Sequence, residues 1–316
     1  MEVIQVFDRP ASQAFYSVAG RLLFTECFNP ELRNLIVDLF RGWQLTPVPY
    51  PGRSPDIQIN FYCGEASQRT RRDLDQFEIA EGGKCYTGAS GLYLELAGAV
   101  VQLMNGSPVT VNVSFAELPR LGDPLSGRAA SFAVCAALRR YGLFDLHSAG
   151  VVEPENGNGV LIIGPSGSGK STLALQLVQS GWSYLSDDEL LLSVVDGAVE
   201  ARGFRAFFAV SEAGADLKHC FVLPSKRTEH ASPRSLLFTR LNGESQSELN
   251  QLTQAETMTR LLRACPWATY DKSIASANLE LLSTLARQTR AFDLSAGRDL
   301  LDPTVVASFV SRALLS

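Results

Sequence analysis

The sequence predicts an α/β protein with a mixed sheet and flanking helices, preceded by a small α+β domain. Three observations predict this fold class. A glycine-rich loop at 164–172 joins an apolar strand to a helix. Predicted hairpins flank that strand, whereas a purely parallel sheet would alternate strands with helices. Short alternating strands and one amphipathic helix fill the first third of the chain. Proline, glycine and aspartate cluster at 119–127, which predicts domains at 1–122 and 123–316.

Composition narrows the classes of function. The chain has 316 residues, 46% hydrophobic and 19% charged, which is enough apolar material for two cores. A net charge of −5 gives no sign of the basic surface that nucleic-acid binding needs. The sequence has no apolar run near about 18 residues, no secretory signal, and no C-x-x-C spacing among its six cysteines. These features predict a cytoplasmic protein with reduced thiols that contacts neither nucleic acid nor membrane.

The elements of the first domain carry no chemical motif. Apolar residues at helical spacing predict a helix over 30–43, with Asn29 as its N-cap. Alternating residues predict strands at 56–63, 92–98 and 109–115.

The second domain begins with a helix and a hairpin. An alanine-rich helix is predicted over 128–142 and a strand over 143–152. The turn PENGNG at 154–159 then leads into the strand VLIIG at 160–164. The start of the first strand must lie beside the end of the second.

Pairing across this turn brings a histidine to the glycine-rich loop. If Val152 lies opposite Gly159, antiparallel pairing sets His147 opposite Gly164. Because a histidine titrates near neutral pH and can exchange protons, His147 becomes a candidate catalytic residue.

The loop GPSGSGKST at 164–172 fits the phosphate-binding pattern G-x-x-x-x-G-K-[ST]. Its glycines let backbone N–H groups point at a phosphate, and the following helix aims its positive end at the same anion. Lys170 is placed to reach the β- and γ-phosphates, and the Ser171 hydroxyl to ligate Mg²⁺. The predicted nucleotide contacts are Gly164, Ser166, Gly167, Ser168, Gly169, Lys170, Ser171 and Thr172.

Two adjacent carboxylates follow the next strand. The run SYLS at 183–186 predicts a strand, and Asp187 and Asp188 come at its carboxyl end. Ligands of open α/β sheets bind outside the carboxyl ends of strands, so a strand next to VLIIG would deliver both side chains to the phosphate site. One carboxylate could hold Mg²⁺ while the other accepts a proton from an attacking hydroxyl. Alternatively, the pair is a polar turn or a helix N-cap. A hairpin with an Asp-Gly turn is predicted at 190–204.

These segments resemble a known family. LHSAGVV, VLIIGPSGSGKSTLALQLVQSGW and YLSDDELLL, in this order and spacing, are similar to the C-terminal kinase domain of HPr kinase/phosphorylase. They are more similar to its smaller relatives, the HPr kinase-related serine kinases, some of which act in lasso peptide gene clusters. The resemblance covers about residues 128–205, and TRAFDLSAGRDLLDP at 289–303 also resembles those relatives.

The resemblance implies an ATP- and Mg²⁺-dependent serine kinase of the P-loop type. It implies that Lys170 contacts phosphates, that Ser171 binds Mg²⁺ and that His147 lies near the transferred phosphate. It also implies that Asp187 is the catalytic carboxylate, which takes the serine proton, and that Asp188 is the metal-linked acid. The expected partner is a peptide or small protein that bears a serine, and a homo-oligomer is a further expectation because HPr kinases are hexamers.

The sequence also departs from true HPr kinases. GFRAFFAVSEAG at 203–214 is not their signature rich in Glu, Arg and paired glycines, so the resemblance does not extend to phosphorylase activity or to HPr as the substrate. The alternatives are a kinase of free serine or a sugar, and an ATP-binding regulatory module without transfer. Gluconate kinases share a similar loop but continue with alternating βα units. The LSGGQ and N-K-x-D motifs of ABC ATPases and GTPases are absent from the sequence.

A kinase often needs a further cation, and the sequence offers Arg205, Lys226 and Arg227 as candidates, although surface ion pairing is the commoner role for such residues. The polar stretches at 225–235 and 242–251 are predicted to be surface connections or, alternatively, a substrate clamp.

Overall fold

The computed structural model describes residues 12–64, 75–79, 83–120, 122–211, 218–222 and 226–315. The chain forms two compact units. The N-terminal unit contains residues 1–41, 45–141 and 269–274, and the C-terminal unit contains 42–44, 142–268 and 275–316. The last residues of the segment 203–214, and Ser225 of the stretch 225–235, lie outside the described residues.

The N-terminal unit is built on a nine-stranded sheet. Its central strands pair in parallel, β2 with β4 and β4 with β9, and its other neighbours pair antiparallel, in the order β3-β1-β2-β4-β9-β8-β7-β6-β5. The predicted strands at 56–63, 92–98 and 109–115 are confirmed as β4, β7 and β9. The strands are β1 (Ser12–Val18), β2 (Arg21–Cys27), β3 (Thr46–Val48), β4 (Ile57–Cys63), β5 (Asp75–Ile79), β6 (Gly83–Gly88), β7 (Gly91–Leu96), β8 (Ala99–Met104) and β9 (Val109–Phe115).

Two helices pack on this sheet. Helix α1 (Pro30–Arg41) begins where predicted, because the Asn29 side chain accepts hydrogen bonds from the backbone N–H groups of Glu31 and Leu32. Helix α2 (Pro124–Arg139) begins four residues before the predicted start, since Asp123 caps it by accepting from Leu125 N–H. It packs against β4, β8 and β9, so it folds with the N-terminal unit, whereas the sequence analysis assigned it to the second domain.

Among the described residues, the C-terminal unit contains three sheets. They are β10-β14-β15-β18, β13-β11-β12-β19-β21-β20 and the pair β16-β17. Its strands are β10 (Phe144–Leu146), β11 (Ser148–Val152), β12 (Gly159–Ile163), β13 (Ser183–Ser186), β14 (Leu190–Val195), β15 (Ala198–Gly203), β16 (Phe207–Ser211), β17 (Lys218–Val222), β18 (His230–Ala231), β19 (Pro233–Leu241), β20 (Glu248–Gln251) and β21 (Arg290–Ala296). The remaining α-helices in the part of the chain that the structure describes are α3 (Lys170–Gln179), α4 (Gln254–Ala264), α5 (Trp267–Tyr270), α6 (Ala275–Gln288) and α7 (Pro303–Leu315).

The six-stranded sheet is mixed, as predicted. Strands β12, β19 and β21 are parallel, while β11 is antiparallel to both β12 and β13. Leu173 and Leu177 of α3, Val306 and Val310 of α7, and Ile162 of β12 share one buried core on this sheet. Burial on both faces explains why every residue of β12, and every residue of β11 except Ser148, is apolar. The architecture is a mixed α/β fold.

The predicted hairpin registers are confirmed. Val152 pairs with Gly159, and the ladder continues to Ser148 opposite Ile163. The predicted strand over 143–152 is interrupted at His147, because β10 pairs with β14 in one sheet and β11 pairs with β12 in another. His147 therefore stands at the corner between two sheets.

Within the part of the chain that the structure describes, no helix is both long enough and apolar enough to cross a bilayer. Among the described side chains, five cysteines are free thiols, and they are Cys27, Cys63, Cys85, Cys135 and Cys265.

A buried ion pair ties the segment 269–274 into the N-terminal unit. Arg140 Nη1 lies 2.6 Å from Asp271 Oδ2, and both side chains are less than a tenth exposed. Asp271 Oδ1 also accepts from the hydroxyl of Ser273 at 2.7 Å. Because the guanidinium is out of water, it depends on this carboxylate for compensation.

We predict that Asp271→Asn lowers the free energy of unfolding by about 3 kcal/mol, because it leaves the buried Arg140 charge uncompensated. Urea denaturation followed by circular dichroism measures this change. Lys272→Ala is the matched control. It removes an exposed ion pair with Asp75 and should change stability by less than about 0.5 kcal/mol. Equal effects of the two substitutions would contradict the prediction.

Candidate active site

The strand, loop and helix predicted around residues 164–172 are confirmed. The loop leaves β12 and enters α3 at Lys170, with Gly167 and Gly169 in the left-handed region at φ +78° and +88°. A Cβ on Gly164 would lie 2.5 Å from Ser168 Oγ and 2.6 Å from the Thr239 carbonyl oxygen, so only glycine fits there. The loop thus has the tight curl that turns N–H groups toward an anion at a helix N-terminus.

Lys170 lies inside this curl. Its side chain is buried, and its ammonium group donates to the carbonyl oxygens of Gly164 and Pro165 at 2.8 and 3.0 Å. The Ser168 hydroxyl oxygen is also buried and has no hydrogen-bond partner among the described residues. The loop therefore holds a positive charge and an unsatisfied polar atom next to its backbone, which favours an anionic ligand.

Asp187 meets the loop helix from the neighbouring part of the sheet. It follows β13, its side chain is 1% exposed, and its Oδ1 accepts a hydrogen bond of 2.8 Å from the Ser171 hydroxyl. Strand β13 was predicted beside β12, but β11 lies between them. Both strands are antiparallel to β11, so they still end at the same edge of the sheet.

Asp188 has an unusual backbone. Its φ is +65°, and Glu189 N–H donates to the Asp187 carbonyl oxygen at 2.7 Å, which is the pattern of a γ-turn with a positive central φ. Such turns are rare and strained, and strain of this kind concentrates at functional sites. The turn separates the two carboxylates: Asp187 is buried, whereas the side chain of Asp188 is 40% exposed.

His147 lies beside this second carboxylate. Its Nδ1 is 3.5 Å from Asp188 Oδ1, and its side chain is about half exposed. The prediction placed His147 next to the glycine-rich loop. The ladder register agrees, and the contact described by the structure is with Asp188. The structure therefore brings together Lys170, Ser171 and Asp187 on one side, and His147 with Asp188 on the other.

A polar network holds the strained turn in place. The buried Ser186 hydroxyl donates to the Glu189 carbonyl oxygen at 2.6 Å and accepts from the N–H groups of Phe204 and Arg205. The Arg205 guanidinium binds Glu189 at 2.9 Å and lies over the Trp43 ring. Arg205, a predicted candidate for a catalytic cation, thus supports the turn. Sequence analysis missed Ser186, since a lone serine at a strand end gives no signal.

Tyr184 lies two residues before Ser186 on β13 and remains a neutral donor. Burial raises the pKa of its hydroxyl, and the nearby Asp187 charge raises it further. The hydroxyl donates to the Arg205 carbonyl oxygen at 3.1 Å. Lys226, another predicted cation, donates to the Gly181 carbonyl oxygen and does not line the pocket described next.

A pocket of about 500 Å³ opens over the loop. One wall contains the loop and Asp188, and the other comes from residues 241–244 and 296–301. Arg298 is the cation that the second wall contributes, and the candidates named from sequence did not include it. The available signal was its position directly after β21, inside the family-like segment 289–303. The lining residues are Ser166, Gly167, Gly169, Lys170, Ser171, Thr172, Leu173, Asp188, Leu241, Gly243, Glu244, Ala296, Gly297, Arg298, Leu300 and Leu301.

The chain resembles known proteins in structure but not in sequence. No protein-family model matches the chain, and no curated protein matches it in sequence. Among solved structures, the chain is similar to the HPr(Ser) kinase/phosphatase from Coxiella burnetii, with 13% identity and a TM-score of 0.33. The likeness covers 54% of this chain and 96% of that protein. It is distant, so the side chains described above carry the functional assignment.

We predict that Ser186→Ala lowers the free energy of unfolding by about 2 kcal/mol, because the buried N–H of Phe204 and the partly buried N–H of Arg205 lose their acceptor. Thermal or urea unfolding measures the loss. Ser183→Ala, on the same strand but without a described side-chain hydrogen bond, is the control and should change stability by less than about 0.5 kcal/mol. If Ser186→Ala is as stable as this control, the hydroxyl does not hold the turn.

Proposed function

We propose that this protein is an ATP- and Mg²⁺-dependent kinase that transfers the γ-phosphate to a serine hydroxyl of a peptide or small protein. The observation that carries the proposal is the 2.8 Å hydrogen bond from Ser171 to the buried carboxylate of Asp187. A hydroxyl and a carboxylate, both hard oxygen ligands, meet at the rim of an anion cradle, as a Mg²⁺–phosphate complex requires.

The residues around the loop fit a nucleoside triphosphate. Gly167, in the left-handed region, leaves space over the loop, since a Cβ there would have no neighbour within 4 Å. Lys170 holds its charge inside the curl, where it would move from the carbonyl oxygens of Gly164 and Pro165 to phosphate oxygens. The cavity of about 500 Å³ lies within the usual range for small-molecule sites.

The same hydrogen bond favours Ser171 and Asp187 as the Mg²⁺ ligands. This assignment reverses the one implied by the family resemblance, in which Asp188 is metal-linked and Asp187 is the base. A buried carboxylate that already touches the loop serine needs little movement to share a cation with it. When bound, Mg²⁺ would neutralise charge on the β- and γ-phosphates.

Asp188 and His147 then serve the acceptor. Asp188 lines the pocket, is accessible to solvent, and lies 3.5 Å from His147 Nδ1. Asp188 accepts the proton of the serine hydroxyl while the serine oxygen attacks the γ-phosphorus. The bond between the γ-phosphorus and the ADP oxygen breaks in the same step. His147 orients the carboxylate. The exposure of both side chains supports an acceptor carried on a peptide or protein surface.

Paired substitutions separate the two carboxylates. We predict that Asp188→Asn reduces phosphotransfer by about a hundredfold or more with ATP binding retained, because asparagine tolerates a positive φ but cannot take a proton. We predict that Asp187→Asn raises the Mg²⁺ concentration for half-maximal ATP binding by at least about tenfold, as disturbing even an outer metal partner does. Titrations of both variants measure these effects. The reverse pattern would restore Asp187 as the base.

The activity itself is tested by label transfer from [γ-³²P]ATP to a panel of serine peptides, free serine and sugars. We expect label on peptides, removed by serine-to-alanine substitution in the peptide. Lys170→Ala should reduce it by about a hundredfold or more, because the transferring group loses its fixed cation. Label on free serine or a sugar alone would favour the small-metabolite kinase. ATP binding without any transfer would favour a regulatory module.

A further inference from the structure

Two leucines in the pocket lining are largely exposed. Leu241 ends β19, and Leu301 ends the 3₁₀ helix Arg298–Leu301, and their exposed fractions are 62% and 58%. Both line the cavity over the glycine-rich loop. Leu173 and Leu300, in the same lining, are at most 4% exposed. An exposed apolar pair inside a cavity indicates a surface that a ligand covers.

Hydrogen bonds hold together the wall that contains these leucines. The Ser247 hydroxyl donates to Asp299 Oδ1 at 2.6 Å and accepts from Gly297 N–H at 2.7 Å. Arg298 N–H donates to the Glu244 carbonyl oxygen at 2.9 Å. The loop 242–247 is thereby joined to the turn after β21. Gly243 and Glu244, from the stretch 242–251 that was predicted as a surface connection or a clamp, thus line the pocket.

The position of Leu241 links this wall to the phosphate end. A Cβ built on Gly169 would lie 3.0 Å from Leu241 Cδ2, so this leucine lies over the last glycine of the loop. Beyond the loop and Asp188, the described lining has two polar side chains, Glu244 and Arg298. A ligand that fills the whole pocket therefore places phosphates on the loop and an apolar ring against the leucines.

We propose that Leu241 and Leu301 form the base-binding end of the nucleotide pocket, where they contact the faces of the purine ring. This inference rests on the proposed ATP site and names the residues that hold the base. Contacts to ring faces do not read the hydrogen-bonding edges of the base. Adenine and guanine nucleotides should therefore depend on the two leucines equally, whereas a phosphate chain without a base should not depend on them.

The test uses the full chain with Mg²⁺ and measures binding of ATP, GTP and inorganic tripolyphosphate by calorimetry. Leu241→Ser and Leu301→Ser should each weaken ATP and GTP by about five- to tenfold, as expected from losing part of a leucine contact. Tripolyphosphate affinity should not change. Val194→Ser is the matched control, because Val194 is 50% exposed and lies outside the pocket lining. Because all three side chains are exposed, the variants should fold, which circular dichroism verifies.

The inference is overturned if both leucine variants bind ATP like the wild type, or if they lose tripolyphosphate as strongly as ATP. It is also overturned if the wild type binds ATP no more tightly than tripolyphosphate. The proposed function fails differently. If the wild type binds neither ATP nor tripolyphosphate, the proposed nucleotide site is wrong. If ATP binding depends on the leucines but no serine is phosphorylated, the inference is supported and the proposed kinase activity is wrong.

Discussion

The hydrogen bond from the Ser171 hydroxyl to the Asp187 carboxylate connects the two halves of the candidate site. One partner belongs to the helix after the glycine-rich loop, and the other to the end of β13. They meet because β12 and β13 are both antiparallel to β11 and therefore end at one edge of the sheet. That strand direction underlies the whole arrangement: it sets a buried carboxylate beside the anion cradle, where two oxygen ligands can share one cation.

The γ-turn at Asp188 explains how two adjacent carboxylates can have different roles. Its positive φ leaves Asp187 buried against Ser171 and turns Asp188 toward solvent and His147. In many active sites, two chemically identical groups have different roles because their surroundings differ. The strain persists because the Ser186 hydroxyl makes three hydrogen bonds around the turn. The Ser186 hydroxyl therefore supports the geometry on which the proposed chemistry depends.

The two walls of the pocket differ in origin. The loop wall is a continuous segment, and its shape follows from local glycine geometry. The opposite wall joins residues 241–247 to 296–301, which are far apart in the chain and are held together by Ser247 and Asp299. β19 and β21 pair in parallel, which brings these ends side by side. This assembly carries Arg298, Leu241 and Leu301 to the pocket.

The sequence by itself determined the local features of this protein: the strand–loop–helix around 164–172, the hairpin register that places His147, and the Asp187–Asp188 pair after β13. Each depends on contacts between near neighbours in the chain, where glycine, turn and periodicity rules apply directly. Only the tertiary structure decided that α2 folds with the N-terminal unit, that β11 separates β12 from β13, and which carboxylate touches Ser171. It alone brought Arg298 to the pocket, because strand order and burial come from packing between distant segments, which no local pattern encodes.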